Sequence, residues 1–397
     1  MKKDFFKYQA QTSPNPLAIE ISHAKGSYIY DTNGKPYLDF VAGVSACTLG
    51  HQNTRVNNAI KEQLDKYSHV MVYGEYIQNP AVEFCKLLAE NIPAPLNKTY
   101  LVNSGTEATE GALKLAKRVT GRSQLISCFN AYHGNTMGSM SVMGFEDRKR
   151  AYRPLLPDVD FIHFNVEEDL LKITEKTAGI ILETIQGGAG FVEPFNGFLS
   201  KVRKRCDEVG ALMILDEIQP GFGRTGKLFG FQNYNIVPDI VIMGKGMGGG
   251  MPVGAFTASD EHMDMLYDNP KFGHITTFGG HPVIAAASLA TLKELLETDL
   301  INQTLEKEKL FRSLLVHPLI SDIRGRGLML APMTLSAEIT NRTILKCQEK
   351  GLILFWLLFE GKAIRITPPL TISNAEIKEG CEIILKALDE VKQELGI

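Results

Sequence analysis

Two residues are placed to do covalent chemistry together. Asp216 closes the apolar run Ala211-Leu212-Met213-Ile214-Leu215, and Lys245 follows Asp239-Ile240-Val241-Ile242-Met243-Gly244. Each run reads as a buried strand, and each polar residue falls where its strand should end. Ligands of open parallel sheets bind beyond the carboxyl ends of the strands, so these positions deliver a carboxylate and an amine to one crevice. A primary amine can form an imine with an aldehyde there, and a carboxylate can hold a proton on a heteroaromatic nitrogen. An ion pair at a sheet edge uses the same two residues, and the pair alone leaves both readings open.

A third element could hold an anion. Ser104-Gly105-Thr106-Glu107-Ala108 follows the run Tyr100-Leu101-Val102 and opens a helical pattern. The unpaired N–H groups and the positive dipole end of such a helix suit a phosphate, although an ordinary helix cap has the same residues. Two other glycine-rich loops are decoys. Gly221-Phe222-Gly223-Arg224-Thr225-Gly226-Lys227 approximates a nucleotide P-loop, yet Leu228 stands where Ser or Thr must reach magnesium. Gly244-Lys245-Gly246-Met247-Gly248-Gly249 has the form of a dinucleotide fingerprint, but Pro252 and the β-like run after it deny the helix that a pyrophosphate needs. A nucleotide triphosphatase is rejected, and a dehydrogenase is a distant runner-up.

The elements that must position these residues are legible from about residue 99 to 258. Short β-rich runs at 100–102, 125–128, 159–162, 179–182, 211–215, 240–243 and 253–256 alternate with helical patterns, as in an α/β domain with a doubly wound, largely parallel sheet. The pattern over 107–117 carries apolar Ala108, Ala112, Leu115 and Ala116, and that over 199–209 stops at Gly210. A long helix over 282–296 reads as a connector. Beyond it the texture changes to a smaller α+β domain, with a helix over 339–349, extended pieces near Leu352 and Ile364, and a last helix from Asn374. Residues 14–41 offer extended pieces around turns at Gly26 and Asn33-Gly34 and should pack on that domain or on a partner subunit. The expected division is a segment 1–55, a large domain 56–297 and a small domain 298–397.

Composition narrows the partners. The 397 residues are 44% hydrophobic and 22% charged with a net charge of -3, which suits a globular chain and gives no positive field for nucleic acid or anionic lipid. The longest greasy run, 352–359, falls far short of the roughly 20 residues that span a bilayer. Asp4, Lys7 and Gln9 interrupt the start before any apolar stretch develops, so no signal peptide is expected and a cytoplasmic location is. The six cysteines form no Cys-x-x-Cys pair and the nine histidines no His-x-x-x-His pattern, so no metal is expected and the thiols read as reduced.

Taken in order, the chain reads Asn103-Ser104-Gly105-Thr106-Glu107-Ala108, Tyr132-His133-Gly134, Glu183 with Gln186-Gly187, Leu215-Asp216-Glu217-Ile218-Gln219, Gly244-Lys245-Gly246, Thr277-Phe278-Gly279-Gly280, and Arg365 before Pro368-Pro369. This series resembles the class III aminotransferases, the ornithine, acetylornithine and 4-aminobutyrate aminotransferase group of fold type I pyridoxal phosphate enzymes. The resemblance runs from Tyr30-Asp31, Leu38-Asp39 and Gly50-His51 to the Arg365 segment.

It implies a large domain with a mostly parallel seven-stranded sheet, a smaller α+β domain, and pyridoxal 5′-phosphate as cofactor. Lys245 would attach the cofactor and shuttle the proton, while Asp216 would keep its ring nitrogen protonated. Ser104, Gly105 and Thr106 would bind its phosphate. Tyr132 would stack on its ring, with His133 and Glu183 close by, and Gln219 would meet its phenolic oxygen. Thr277 would reach the phosphate of the neighbouring subunit, making a homodimer the working unit. Arg365 would bind a substrate carboxylate through its planar fork.

The sequence departs from the family twice. Asn135 stands where the family usually has an arginine that helps hold a carboxylate. Gly188 stands where it usually has a glutamate that masks the other arginine. Both departures point away from the dual-carboxylate switching scheme. The acceptor is then a monocarboxylate such as pyruvate, or 2-oxoglutarate held by another cation. Val44 suggests a partly apolar pocket. The expected activity is a ping-pong transfer from an ω-amine, or the distal amine of an amino acid, to an oxo acid. An aminomutase, dialkylglycine decarboxylase or racemase could use the same scaffold, and a silent pyridoxal phosphate-binding protein is the more distant alternative.

Overall fold

The computed structural model describes all 397 residues. Its main sheet has seven strands in the spatial order Lys98–Val102, Gly254–Ala258, Ile240–Gly244, Leu212–Asp216, Thr177–Glu183, Gln124–Cys128, Val159–Ile162. Gly254–Ala258 runs antiparallel to both neighbours, and the remaining pairings are parallel. Every residue of Thr177–Glu183, Leu212–Asp216 and Ile240–Gly244 is buried, because helices cover both faces. That explains why these strands read as continuous apolar runs rather than alternating ones.

The helices begin and end where local chemistry dictates. Gly105–Thr120 starts at Ser104, whose side chain accepts from the Glu107 N–H, and stops at Gly121 in the left-handed region with φ 67°. Phe198–Val209 ends in the same way at Gly210. Pro282–Glu297 is the expected connector, with a proline in its first turn, and it packs against Thr54–Lys66 and Asn79–Asn91. No helix is long and apolar enough to cross a membrane.

A second sheet joins the two ends of the chain. Ile21–Lys25, Tyr28–Asp31 and Pro36–Asp39 form an antiparallel meander, and Pro36–Asp39 then pairs in parallel with Leu352–Ile353, Leu38 opposite Leu352. The amino-terminal pieces therefore pack on the carboxyl-terminal part, which also holds the hairpin Ile320–Arg326 with Met329–Thr334 and the helices Leu300–Leu314, Ala337–Glu349 and Asn374–Leu395. The greasy run at 352–359 is broken into two short strands, Leu352–Ile353 and Phe355–Trp356.

Immediately after this sheet the chain makes a turn that the sequence does not announce. Ala42, Gly43, Val44 and Ser45 all have positive φ, from 50° to 67°, so they form one turn of left-handed helix. For residues with a Cβ this costs roughly 1–2 kcal/mol each. Buried Asp39 braces it. One carboxylate oxygen accepts from the Val41 and Ala42 N–H groups at 2.8 and 2.9 Å, and the other meets His51 Nε2 at 2.8 Å. Thr367 adds two bonds, from its N–H to the Phe40 carbonyl and from its hydroxyl to the Val41 carbonyl.

Candidate active site

The sheet register brings the two carboxylates side by side. Glu183 pairs with Asp216 on adjacent parallel strands, and Asp216 is in register with Ile242, three residues before Lys245. Lys245 itself has φ 42° and opens a short 3-10 turn, Lys245–Gly248, which packs against the left-handed turn. The fit is close: a Cβ at Gly246 would stand 2.3 Å from Thr48 Oγ1 and 3.3 Å from the Ser45 carbonyl oxygen. Strained backbone on both sides of one lysine marks a position that the surrounding structure fixes.

Asp216 is 3% exposed and fully engaged. Its Oδ2 meets His133 Nδ1 at 2.8 Å, and its Oδ1 accepts from the Ile218 N–H at 3.0 Å. The other ring nitrogen of His133 is buried with no partner. His133 is held in turn by Thr109, whose hydroxyl donates to the His133 carbonyl at 2.9 Å. Glu183 accepts from the Tyr132 N–H at 2.9 Å and the Gly187 N–H at 2.5 Å. Burial pushes its carboxyl up to about 7, with His133 opposing and Asp216 adding to the rise.

The Gly105–Thr120 helix aims its amino end at the same place. A Cβ at Gly244 would lie 3.5 Å from Gly105 Cα, so the anion-ready amides adjoin the residue before the lysine. Thr106 Oγ1 accepts from the Asn135 and Thr136 N–H groups at 3.2 Å each, which ties the helix to the 132–136 loop. Gly134 is required there, having φ 130° and leaving only 2.3 Å from a would-be Cβ to Thr106 Oγ1.

Arg365 lies on the short strand Ile364–Arg365 and is 5% exposed. Its Nη1 donates to Gln219 Oε1 at 2.9 Å, its guanidinium lies 5.5 Å from the Phe191 ring centre, and its Nε has no partner. No carboxylate pairs with it, and burial lowers its pKa to about 10. Burial also lowers the Lys245 amine, against the pull of Asp216. Thr277 is exposed, on the loop before Pro282–Glu297.

The sequence reading missed several neighbours. Glu217 is fully buried and accepts from Thr184 Oγ1, the Gly230 N–H and the Phe231 N–H, which fixes the loop after Asp216. Phe359 covers Gly188, where a Cβ would lie 2.7 Å from the ring, and it stacks on Phe145 at 4.6 Å. Only the glycine at 188 hinted at an incoming ring. No group of three or more His, Cys, Asp or Glu side chains is arranged to hold a metal.

The family model for class III aminotransferases matches residues 8–388. This chain belongs to the class III aminotransferases. The enzyme is similar to the acetylornithine aminotransferase of Caldanaerobacter subterraneus subsp. tengcongensis, 35% identical over 95% of this chain and 96% of that one. It is also similar to that of Archaeoglobus fulgidus, 36% identical over 92% and 95%. Among solved structures, the ornithine aminotransferase from Toxoplasma gondii superposes with a TM-score of 0.91 at 30% identity, covering 99% of this chain and 96% of that one. The omega transaminase from Pseudomonas jessenii in complex with PMP gives 0.93 at 26% identity, covering 100% and 99%.

The fold is therefore that of the fold type I transferases, and the aminotransferase uses pyridoxal 5′-phosphate. The residues present fit that group. The cleft offers a partly buried amine, a buried carboxylate backed by a histidine, and free amides at a helix end, which match an aldehyde, a pyridine nitrogen and a phosphate.

Proposed function

We propose that this aminotransferase takes the amino group of an ω-amine, or the distal amine of an amino acid, and passes it to an oxo acid in a ping-pong cycle. Arg365 carries the reading. A buried guanidinium with no carboxylate partner is costly unless a ligand supplies one, so a substrate carboxylate belongs beside it. Relatives named for acetylornithine, ornithine and omega transamination support the same donor class.

When bound, pyridoxal phosphate supplies the electron sink that stabilises negative charge on the substrate carbon. Lys245 Nζ, favoured in its neutral form by burial, would attach the cofactor and, once freed, accept the proton from the carbon bearing the donor amine. Asp216, oriented by His133, would hold the proton on the ring nitrogen. Ser104, Gly105 and Thr106 would bind the phosphate, and Tyr132 would cover the ring. Glu183 would hold the Tyr132 and Gly187 amides in place. Gln219 would steady Arg365 as well as meeting the cofactor.

The working unit in this reading is a homodimer, with Thr277, exposed in the single chain, reaching the neighbouring phosphate. Six free cysteines support a reducing, cytoplasmic setting. The division into 1–55, 56–297 and 298–397 has support from the pairing of Leu38 with Leu352.

The test is spectral. Donor amines should bleach the cofactor absorbance of the purified holoprotein and an oxo acid should restore it, while Lys245→Ala should yield no borohydride-stable adduct. If ordinary α-amino acids bleach it faster than every ω-amine, the donor assignment fails.

A further inference from the structure

We propose that Glu110 is a positioning residue for cofactor binding. Acting through the hydroxyls of Thr136 and Ser139, it holds Thr106 so that the main-chain amides at the helix start, and not the Thr106 hydroxyl, meet the phosphate. The inference rests on the phosphate assignment made above for Ser104, Gly105 and Thr106, and adds a residue one turn further along the same helix.

The direction of each bond in this cluster follows from its donors. Thr106 Oγ1 accepts from two N–H groups, those of Asn135 and Thr136, at 3.2 Å each. Both lone pairs of that oxygen are then occupied, so its single proton goes to Ser139 Oγ at 2.7 Å or to Thr136 Oγ1 at 2.8 Å. The Glu110 carboxylate only accepts. Its Oε1 takes the Thr136 hydroxyl proton and the Ser139 N–H, the latter at 3.0 Å. Thr136 is thereby a donor toward Glu110 and an acceptor toward the other two hydroxyls, while Ser139 has the Thr136 carbonyl at 3.1 Å for its own proton. No proton of the Thr106 hydroxyl is left for a ligand.

The cluster lies at the joint between two segments that the cofactor needs in register. On one side is the start of Gly105–Thr120, and on the other the loop that carries Tyr132 and His133, the latter bound to Asp216. Thr109 closes the same joint, its hydroxyl reaching the Gly105 carbonyl at 3.1 Å and the His133 carbonyl at 2.9 Å. Ser139 is fully buried, and Gly138 makes room for the second Glu110 oxygen, with which a Cβ would collide. Glu110 is not needed as a helix cap, because Glu107 already folds back to accept from the Asn103 N–H at 2.6 Å. A carboxylate one helical turn from an anion site opposes a phosphate by its charge. What Glu110 contributes is the orientation of the hydroxyls between them.

Two ligands that differ only in the phosphate test this apart from turnover. The full chain, stripped of cofactor, is titrated with pyridoxal 5′-phosphate and with pyridoxal, each followed by absorbance. Wild type should prefer the phosphate ester, and Glu110→Leu should lower that preference at least tenfold. Thr136→Val, which keeps the shape and removes the joining hydroxyl, should lower it too, and Thr136→Ser should restore it. The double variant should lose no more than the larger single loss, since both changes open one chain of bonds. Glu110→Gln keeps an acceptor without the charge, so its preference should stay within threefold of wild type or exceed it. A preference within twofold of wild type in Thr136→Val, or in Glu110→Leu, overturns the proposal. If wild type binds pyridoxal as tightly as its phosphate ester, the phosphate assignment itself fails, whereas a wild-type preference that the variants keep strikes Glu110 alone.

Discussion

At the scale of single residues, packing fixes Gly188. No hydrogen-bonding argument is needed, because the Phe359 ring occupies the space a Cβ would take. Gly188→Glu should lower stability by about 1–3 kcal/mol through overpacking, measured by urea unfolding of the holoprotein. Phe359→Ala on the Gly188→Glu background should recover much of the loss, since it opens the volume the new side chain needs. A Gly188→Glu protein as stable as wild type would show that the ring yields freely, and the clamp on Phe359 would not stand. Asp216 and Lys245 could be found from sequence because each closes an apolar run, a local signal. Phe359 could not, since its meeting with Gly188 depends on segments far apart in the chain.

At the scale of elements, the left-handed turn depends on the brace between Asp39 and His51. The hydrogen bond to Asp39 is the largest of the causes that raise His51 from its ordinary 6.5 to about 10, a contact to Cys47 adds to it, and burial opposes. Between those values the folded chain keeps a proton that the unfolded chain has released. Its contribution to stability is therefore complete below pH 6.5 and is lost as pH rises toward about 10. His51→Gln should flatten that decline, read as the change in urea midpoint between pH 6 and pH 10. An unchanged slope would remove the brace from the account. The seven strands and the 282–297 helix were legible because buried parallel strands and apolar helical faces leave continuous patterns. The turn at 42–45 was not, because only Gly43 among its four residues favours positive φ, and the carboxylate that steadies it lies outside it. The helices Thr54–Lys66 and Asn79–Asn91 lie outside the sequence expectations, although the second carries apolar Val82, Phe84, Cys85, Leu87 and Leu88.

At the scale of the whole molecule, the proposed homodimer, with the exposed Thr277 serving a neighbour, would make each site the product of two chains. Lys245→Ala and Thr277→Ala homodimers should both be impaired, yet a mixed dimer would hold one site with an intact lysine and an intact threonine. Refolding the two variants together should restore amino transfer to roughly a quarter of wild type, on random pairing with half of the mixed dimer's sites intact. Recovery no greater than the sum of the separate activities would confine Thr277 to its own subunit. The pairing of Leu38 with Leu352 has a different reach, into the order of events during synthesis. The main sheet is complete once the ribosome has passed Ala258, with Asp216 and Lys245 already on it. Leu38 must then wait for its partner strand, roughly 15–60 s after its own emergence at the usual rate of elongation. In that interval the growing chain possesses the floor that receives a vitamin but lacks the arginine that would choose a metabolite.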